Sequence, residues 1–137
     1  MRTFDSRESD FLPSGPVAVA RWEQYRIQTE LPFGAMWYTV PPGSSSEPDC
    51  HPEPELSIVL TGDGVVEAGG RLIEVSAGTA FLLDSNERHV VHNRTATQPL
   101  TIFSAYWMPP EVGPVEPITE LASANDRRPS VVEVSGV

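Results

Sequence analysis

The sequence predicts an all-β fold, an antiparallel sandwich or barrel, and three observations carry that prediction. Short runs rich in Val, Ile, Leu and aromatic residues recur at roughly ten-residue spacing, the rhythm of short paired strands. Between them lies turn chemistry: Pro32-Phe33-Gly34, Pro41-Pro42-Gly43-Ser44, Thr61-Gly62-Asp63-Gly64, Gly69-Gly70, Ser76-Ala77-Gly78 and Asp84-Ser85-Asn86. Fourteen prolines in 137 residues argue against long helices, and no helical periodicity fills the intervals.

Residues 1–16 are polar and interrupted by Pro13, Gly15 and Pro16, and read as an N-terminal arm. The core follows over 17–108 with eight expected strands. The first, 17–27, opens on Val17 and Val19; the second, 35–40, carries Trp37 and Tyr38; the third, 55–60, holds Leu56, Ile58, Val59 and Leu60. Residues 64–68 and 71–75 flank Gly69-Gly70, a two-residue hairpin signal. Three more runs, 80–83, 88–93 and 100–107, contain Phe81, Val90-Val91 and Phe103 with Tyr106. Residues 109–137 hold five prolines and read as a Pro-rich C-terminal tail, in which 118–124 suits one or two helical turns.

The length is that of one domain. The longest apolar runs, such as Ile58-Val59-Leu60, fall far short of the ~18 residues a membrane helix needs. Nineteen acidic residues face nine basic ones, all arginine, for a net charge of -10. Such a surface repels phosphate backbones and anionic lipid, so neither nucleic acid nor membrane is an expected partner. The N-terminus has no apolar stretch of a signal peptide, and a cytoplasmic location is expected. A single cysteine, Cys50, rules out an internal disulfide and any Cys-only metal site, leaving His and carboxylates as the available ligands.

All three histidines fall in the core, at 51, 89 and 92. The stretch Asp49-Cys50-His51-Pro52-Glu53-Pro54-Glu55 alternates, so an extended backbone puts Asp49, His51, Glu53 and Glu55 on one face and Cys50 on the other. If that face is interior, the carboxylates need a cation, because an uncompensated buried charge costs several kcal/mol. If it is solvent, the segment is an acidic edge strand guarded by prolines. His92 lies three residues from His89, an odd offset that sends it to the opposite face as an ordinary surface histidine. Asn93 shares the parity of His89, with a structural turn role expected. Tyr25, Tyr38 and Tyr106 are the phenols available as acids or bases. Of these, Tyr38 and Tyr106, with Glu53, are the weak catalytic candidates.

Spacing adds a further argument. Gly43, Asp49, His51, Glu55 and Gly62 stand at intervals that resemble the first motif of the cupin superfamily, with Asp49 in the place of its first His. Gly78, Asp84, Asn86, His89 and Asn93 are similar to the second motif, with Asp84 and Asn86 where the family has Pro and Gly. The resemblance implies a single cupin jelly-roll barrel holding one divalent metal ion per chain. Its ligands would be Asp49, His51, Glu55 and His89, with Glu53 a substitute if the strand slips. That donor set favours Fe(II), with Mn(II) or Zn(II) as the other choices.

The function this implies is a metal-dependent enzyme acting on a small organic metabolite, by oxygenase-type chemistry or by Lewis-acid isomerisation, elimination or cyclisation, within specialised metabolism. Two alternatives stand beside it: a non-catalytic, sensor-like small-molecule binder, and a metal-free structural cupin. A homodimer is expected, with 1–27 as the exchanged element.

Overall fold

The computed structural model describes residues 1–110. They form nine strands: β1 (Leu12–Ser14), β2 (Val17–Arg21), β3 (Gly34–Val40), β4 (Glu55–Thr61), β5 (Asp63–Ala68), β6 (Arg71–Ser76), β7 (Ala80–Leu83), β8 (His89–His92) and β9 (Leu100–Tyr106). A six-stranded sheet runs β1-β2-β3-β9-β4-β7 and a three-stranded sheet β6-β5-β8, with every pairing antiparallel. This is the all-β jelly-roll arrangement the sequence predicts. No helix among the described residues is long and apolar enough to cross a membrane. The helical reading of 118–124 lies outside the described residues.

The core sits between the two sheets because strand alternation delivers one apolar face from each. Tyr38, Val40, Val59, Leu83, Leu100 and Ile102 come from the larger sheet, and Val66, Val75 and Val91 from the smaller. The inner face of the larger sheet changes character along its length. Val40, Val59, Leu100 and Ile102 close one end, whereas Ser57 and Ser104, both fully buried, bond to each other at 2.7 Å and lead towards Glu55 and Tyr106 at the other. Polar side chains on that inner face therefore gather at one mouth of the barrel.

Two expectations are corrected by the packing. The run 17–27 is a strand only to Arg21; Trp22–Tyr25 form a 3-10 turn ended by Arg26 at φ 58°. The turn drops Trp22 onto the outer face of the large sheet, 5.2 Å from Trp37 and 5.3 Å from Phe103 between ring centroids, and this aromatic burial outweighs the β pattern. Leu12–Ser14, within the segment read as an arm, pairs with Val17–Arg21 as an edge strand. Elsewhere the outer face of the sheet leaves Leu56, Ile58, Leu60 and Leu82 exposed.

Turn glycines and one asparagine fix the strand ends. Gly62 adopts φ 92°, and a Cβ there would lie 2.5 Å from the Pro99 carbonyl oxygen, so only glycine lets β4 turn into β5 against that backbone. Asn86 adopts φ 61°, which explains how it can stand where a glycine is expected, since Asn tolerates the left-handed region.

Asn93 closes the connection from β8 to β9. It is 2% exposed; its Nδ2 donates to Val40 O at 3.0 Å and Gln98 O at 2.7 Å, and its Oδ1 accepts from Thr95 N and Oγ1. The structural role expected of it is the one observed. Truncation to alanine strands buried carbonyls at about 1–3 kcal/mol each. Asn93→Ala is expected to lower the unfolding free energy in urea by about 2–4 kcal/mol, whereas Cys50→Ser, at an exposed thiol, should change it by less than about 0.5 kcal/mol.

Candidate metal centre

Residues 44–49 run antiparallel beside β8 without forming a full strand. Asn93 N donates to Ser44 O, Ser46 N to Val91 O, and Asp49 and His89 exchange both backbone hydrogen bonds at 3.0 Å. A hydrogen-bonded antiparallel pair places its two side chains on one face as direct neighbours. Asp49 and His89, forty residues apart in sequence, are set side by side by their own backbones.

His51 arrives by a different route. Pro52 and Pro54 offer no N–H for strand pairing, and the chain bends through 52–53 before β4 begins at Glu55. The turn at 84–87 braces this bend: Asn86 N donates to His51 O at 2.7 Å, and Ser85 Oγ donates to Pro52 O. Glu55 is the first residue of β4, and the alternation that sends Ser57 and Val59 inward sends Glu55 inward too, at 4% exposure.

The two imidazoles are oriented in the same way. His51 Nδ1 lies 2.8 Å from Glu53 O and His89 Nδ1 lies 2.8 Å from Glu87 O. A carbonyl oxygen only accepts, so each Nδ1 donates, and each ring turns its Nε2, the nitrogen that would ligate a cation, to the other side. Both Nε2 atoms turn to the same carboxylate: His51 Nε2 lies 3.1 Å and His89 Nε2 4.0 Å from Glu55 Oε2. The rings stand edge to face at a centroid distance of 5.2 Å. Asp49, His51 and His89 each offer a ligand atom within 4.8 Å of the others.

Asp49 is the outer member. Its side chain is 65% exposed, its Oδ1 accepts from Cys50 N at 2.9 Å, and its Oδ2 lies 3.9 Å from His51 Nε2. Glu53 does not join the Nε2 side, although simple alternation puts it on the shared face. The bend carries its carboxylate to the Nδ1 side of His51, at 3.6 Å, and into a separate cleft with Trp22, Tyr106 and Trp107. Its backbone carbonyl, rather than its side chain, serves the site.

Beside Asp49, Glu55 and His89 opens a cavity of about 250 Å³ whose walls include Val19, Met36, Tyr38 and Val91. Tyr38 faces it from β3; burial and then the nearby Glu55 charge push its phenol well above the ordinary tyrosine range, so it stays protonated. Tyr106 is raised in the same direction, chiefly by burial and then by Glu23. Tyr25 lies elsewhere, its hydroxyl accepting from Trp37 Nε1 at 3.0 Å in the outer aromatic cluster. Cys50 is exposed, and its Sγ reaches Asn86 O at 3.3 Å, away from the imidazoles. His92 faces out as its parity requires, between Ser45 Oγ at 2.6 Å and Glu67 Oε2 at 3.0 Å.

Two contributors went unremarked in the sequence. Arg21 lines the cavity, and the Ser57–Ser104 pair floors the polar end of the barrel. The signal for both was parity: Arg21 is in step with Val17 and Val19, and Ser57 with Glu55 and Val59.

Three solved structures show the same architecture. A protein from Photorhabdus luminescens matches with a TM-score of 0.68 at 21% identity, over 78% of this chain and 86% of that one. A predicted oxalate decarboxylase from Thermotoga maritima matches at 0.63 and 22%, over 79% and 100%. A Cupin 2 conserved barrel domain protein from Salinispora arenicola matches at 0.64 and 22%, over 93% and 96%. At these identities the likeness is one of fold. The family model for the cupin domain matches residues 36–106, from within β3 to the end of β9 and so across Asp49, His51, Glu55 and His89; covering more than half of the chain, it shows that the protein belongs to the cupin superfamily.

Proposed function

We propose that this protein is a mononuclear metal cupin that binds one divalent cation through His51, His89, Glu55 and Asp49, and that it acts on a small organic metabolite in the adjoining cavity. The observation that carries the reading is the convergence of two imidazole Nε2 atoms on the buried Glu55 carboxylate, each ring already donating through Nδ1 to a carbonyl. Neutral rings would turn lone pairs towards an anion there, and a proton on His51 would relieve only one of the two contacts. A cation relieves both and uses Asp49 as well. The Nδ1–H···O=C bonds to Glu53 and Glu87 are the outer-sphere orientation that ligating histidines use. Two imidazoles with carboxylates suit Fe(II), Mn(II) or Zn(II), with Fe(II) favoured.

Bound there, the ion would supply Lewis acidity or, as Fe(II), a place for dioxygen beside the substrate. The chain supplies the remainder. Val19, Met36 and Val91 exclude water from one side of the cavity, and Tyr38 offers a neutral phenol as a hydrogen-bond donor. A second reading is a sensor-like binder without turnover: apart from the proposed ligands the wall offers Glu47, Tyr38 and two serine hydroxyls but no histidine or thiol. Oxygen uptake or product formation by the Fe(II) protein with candidate metabolites selects the enzyme. Tight, saturable ligand binding without turnover selects the binder. The expected homodimer belongs to the same proposal, and exposed Leu56, Ile58 and Leu60 are the surface it would cover; light scattering should report twice the chain mass, reverting to one in Ile58→Glu.

The metal reading has a direct measurement. Protein purified without added metal and then loaded with Mn(II) should retain one ion per chain after desalting, whereas His51→Ala and His89→Ala retain almost none. Asp49→Ala should keep the ion with affinity reduced about 10- to 100-fold, and Glu53→Ala should bind as wild type does. A wild-type chain that cannot be loaded overturns the proposal. Loading should also raise the melting temperature, since a ligand at 100 times its Kd adds about 2.7 kcal/mol to the stability of the state that binds it. Both His variants should lose that rise.

A further inference from the structure

Arg21 is an exposed arginine at the edge of the cavity. It ends β2, in register with Met36, which pairs in turn with Ser104 and then Ser57 across the sheet. Val17, Val19 and Arg21 share the face that lines the cavity beside Asp49, Glu55 and His89, and Arg21 is the one cationic side chain in that lining. Arg2 pairs with Glu30 and Arg7 with Asp5, whereas Arg21, like Arg26, Arg71, Arg88 and Arg94, has no carboxylate within 4.0 Å among the described residues. Its one side-chain partner is neutral: Nη1 donates to the Tyr106 hydroxyl at 3.5 Å. Glu47, also in the wall, packs against Gly15 instead.

Tyr106 crosses β3 at Gly34, its register partner, where a Cβ would come within 2.3 Å of the ring's Cε2. Any side chain at 34 would displace the phenol that steadies Arg21. A guanidinium presents five N–H donors in a fork that fits a carboxylate at two points, and one contact to Tyr106 leaves most of them free. A bound divalent ion would engage Asp49 and Glu55, and the remaining carboxylate of the lining, Glu47, packs against Gly15.

We infer that Arg21 is the specificity-determining residue of the cavity, and that the metabolite is a carboxylate whose anionic end pairs with Arg21 while another part of it reaches the ion. The inference rests on the proposed metal site for the second half of that statement and on Arg21 alone for the first. Benzoate and its neutral analogue benzamide are suitable probes, titrated by saturation-transfer NMR into the Zn(II)-loaded and the metal-free protein. Wild type should bind benzoate at least 10-fold more tightly than benzamide. Arg21→Gln should lose that preference while retaining Zn(II) and melting as wild type does, and Arg21→Lys should recover part of it. Equal binding of the two probes by wild type, or unchanged benzoate binding in Arg21→Gln, overturns the inference. If wild type takes neither Zn(II) nor Mn(II), the metal reading fails, and the preference for benzoate is still decided on the metal-free protein.

Discussion

The site depends on two backbone carbonyls, Glu53 O and Glu87 O, each 2.8 Å from an imidazole Nδ1. They hold each ring by its Nδ1, and so decide that Nε2 is the nitrogen His51 and His89 present to Glu55. Each carbonyl sits two residues from its histidine in an irregular segment, 51–54 or 84–88, and Asn86 and Ser85 tie those segments together through His51 O and Pro52 O. The two rings are therefore oriented by one shared piece of loop structure. The strands supply direction, and the turns supply chemistry.

The strands also set where polarity collects. Along the inner face of the large sheet the sequence of pairs runs from Val59 and Ile102, through Ser57 and Ser104, to Glu55 and Tyr106. Burial of a carboxylate at the apolar end would cost several kcal/mol; at the mouth, beside two imidazoles and Tyr38, it has groups able to compensate it. Ser57 and Ser104 satisfy one another and lie within reach of the Tyr38 hydroxyl, so the transition from core to site leaves these hydroxyls partnered. Stability comes from one end of the barrel and the candidate function from the other.

How much of this the sequence discloses follows from how local each feature is. Strand parity is local, so β4 was readable: Glu55, Ser57 and Val59 inward, Leu56, Ile58 and Leu60 outward. His92 and Cys50 were readable for the same reason. Parity failed across Pro52 and Pro54, where the chain bends and Glu53 leaves the shared face, because alternation holds only while the backbone stays extended. It also failed at Trp22, where contact with Trp37 and Phe103 outweighed the strand pattern, and at Leu12–Ser14, too short and exposed to leave a pattern. The pairing of Asp49 with His89 is a tertiary fact with no local trace; only the motif spacing suggested it. The substitutions that make the second motif look degenerate are structurally mild, since Asn86 adopts the left-handed conformation that position needs.

Asp49 is the departure that matters most, and its backbone explains why an aspartate can serve there. An aspartate carboxylate reaches less far than an imidazole Nε2, but the two-way hydrogen bonding with His89 fixes Asp49 directly opposite its neighbour, at a Cα separation of roughly 5.5 Å. Short reach is offset by a fixed, direct opposition. The same position leaves its side chain 65% exposed, against 5% for Glu55 and 8% for His89, so the donor set has a dry side and a wet side. On the dry side the anion is costly to leave unpaired. On the wet side the aspartate competes with water and is already engaged through Oδ1 by Cys50 N–H. Were a cation held there, exchange of a coordinated group would be easiest where the protein's own grip is weakest, at the exposed Asp49.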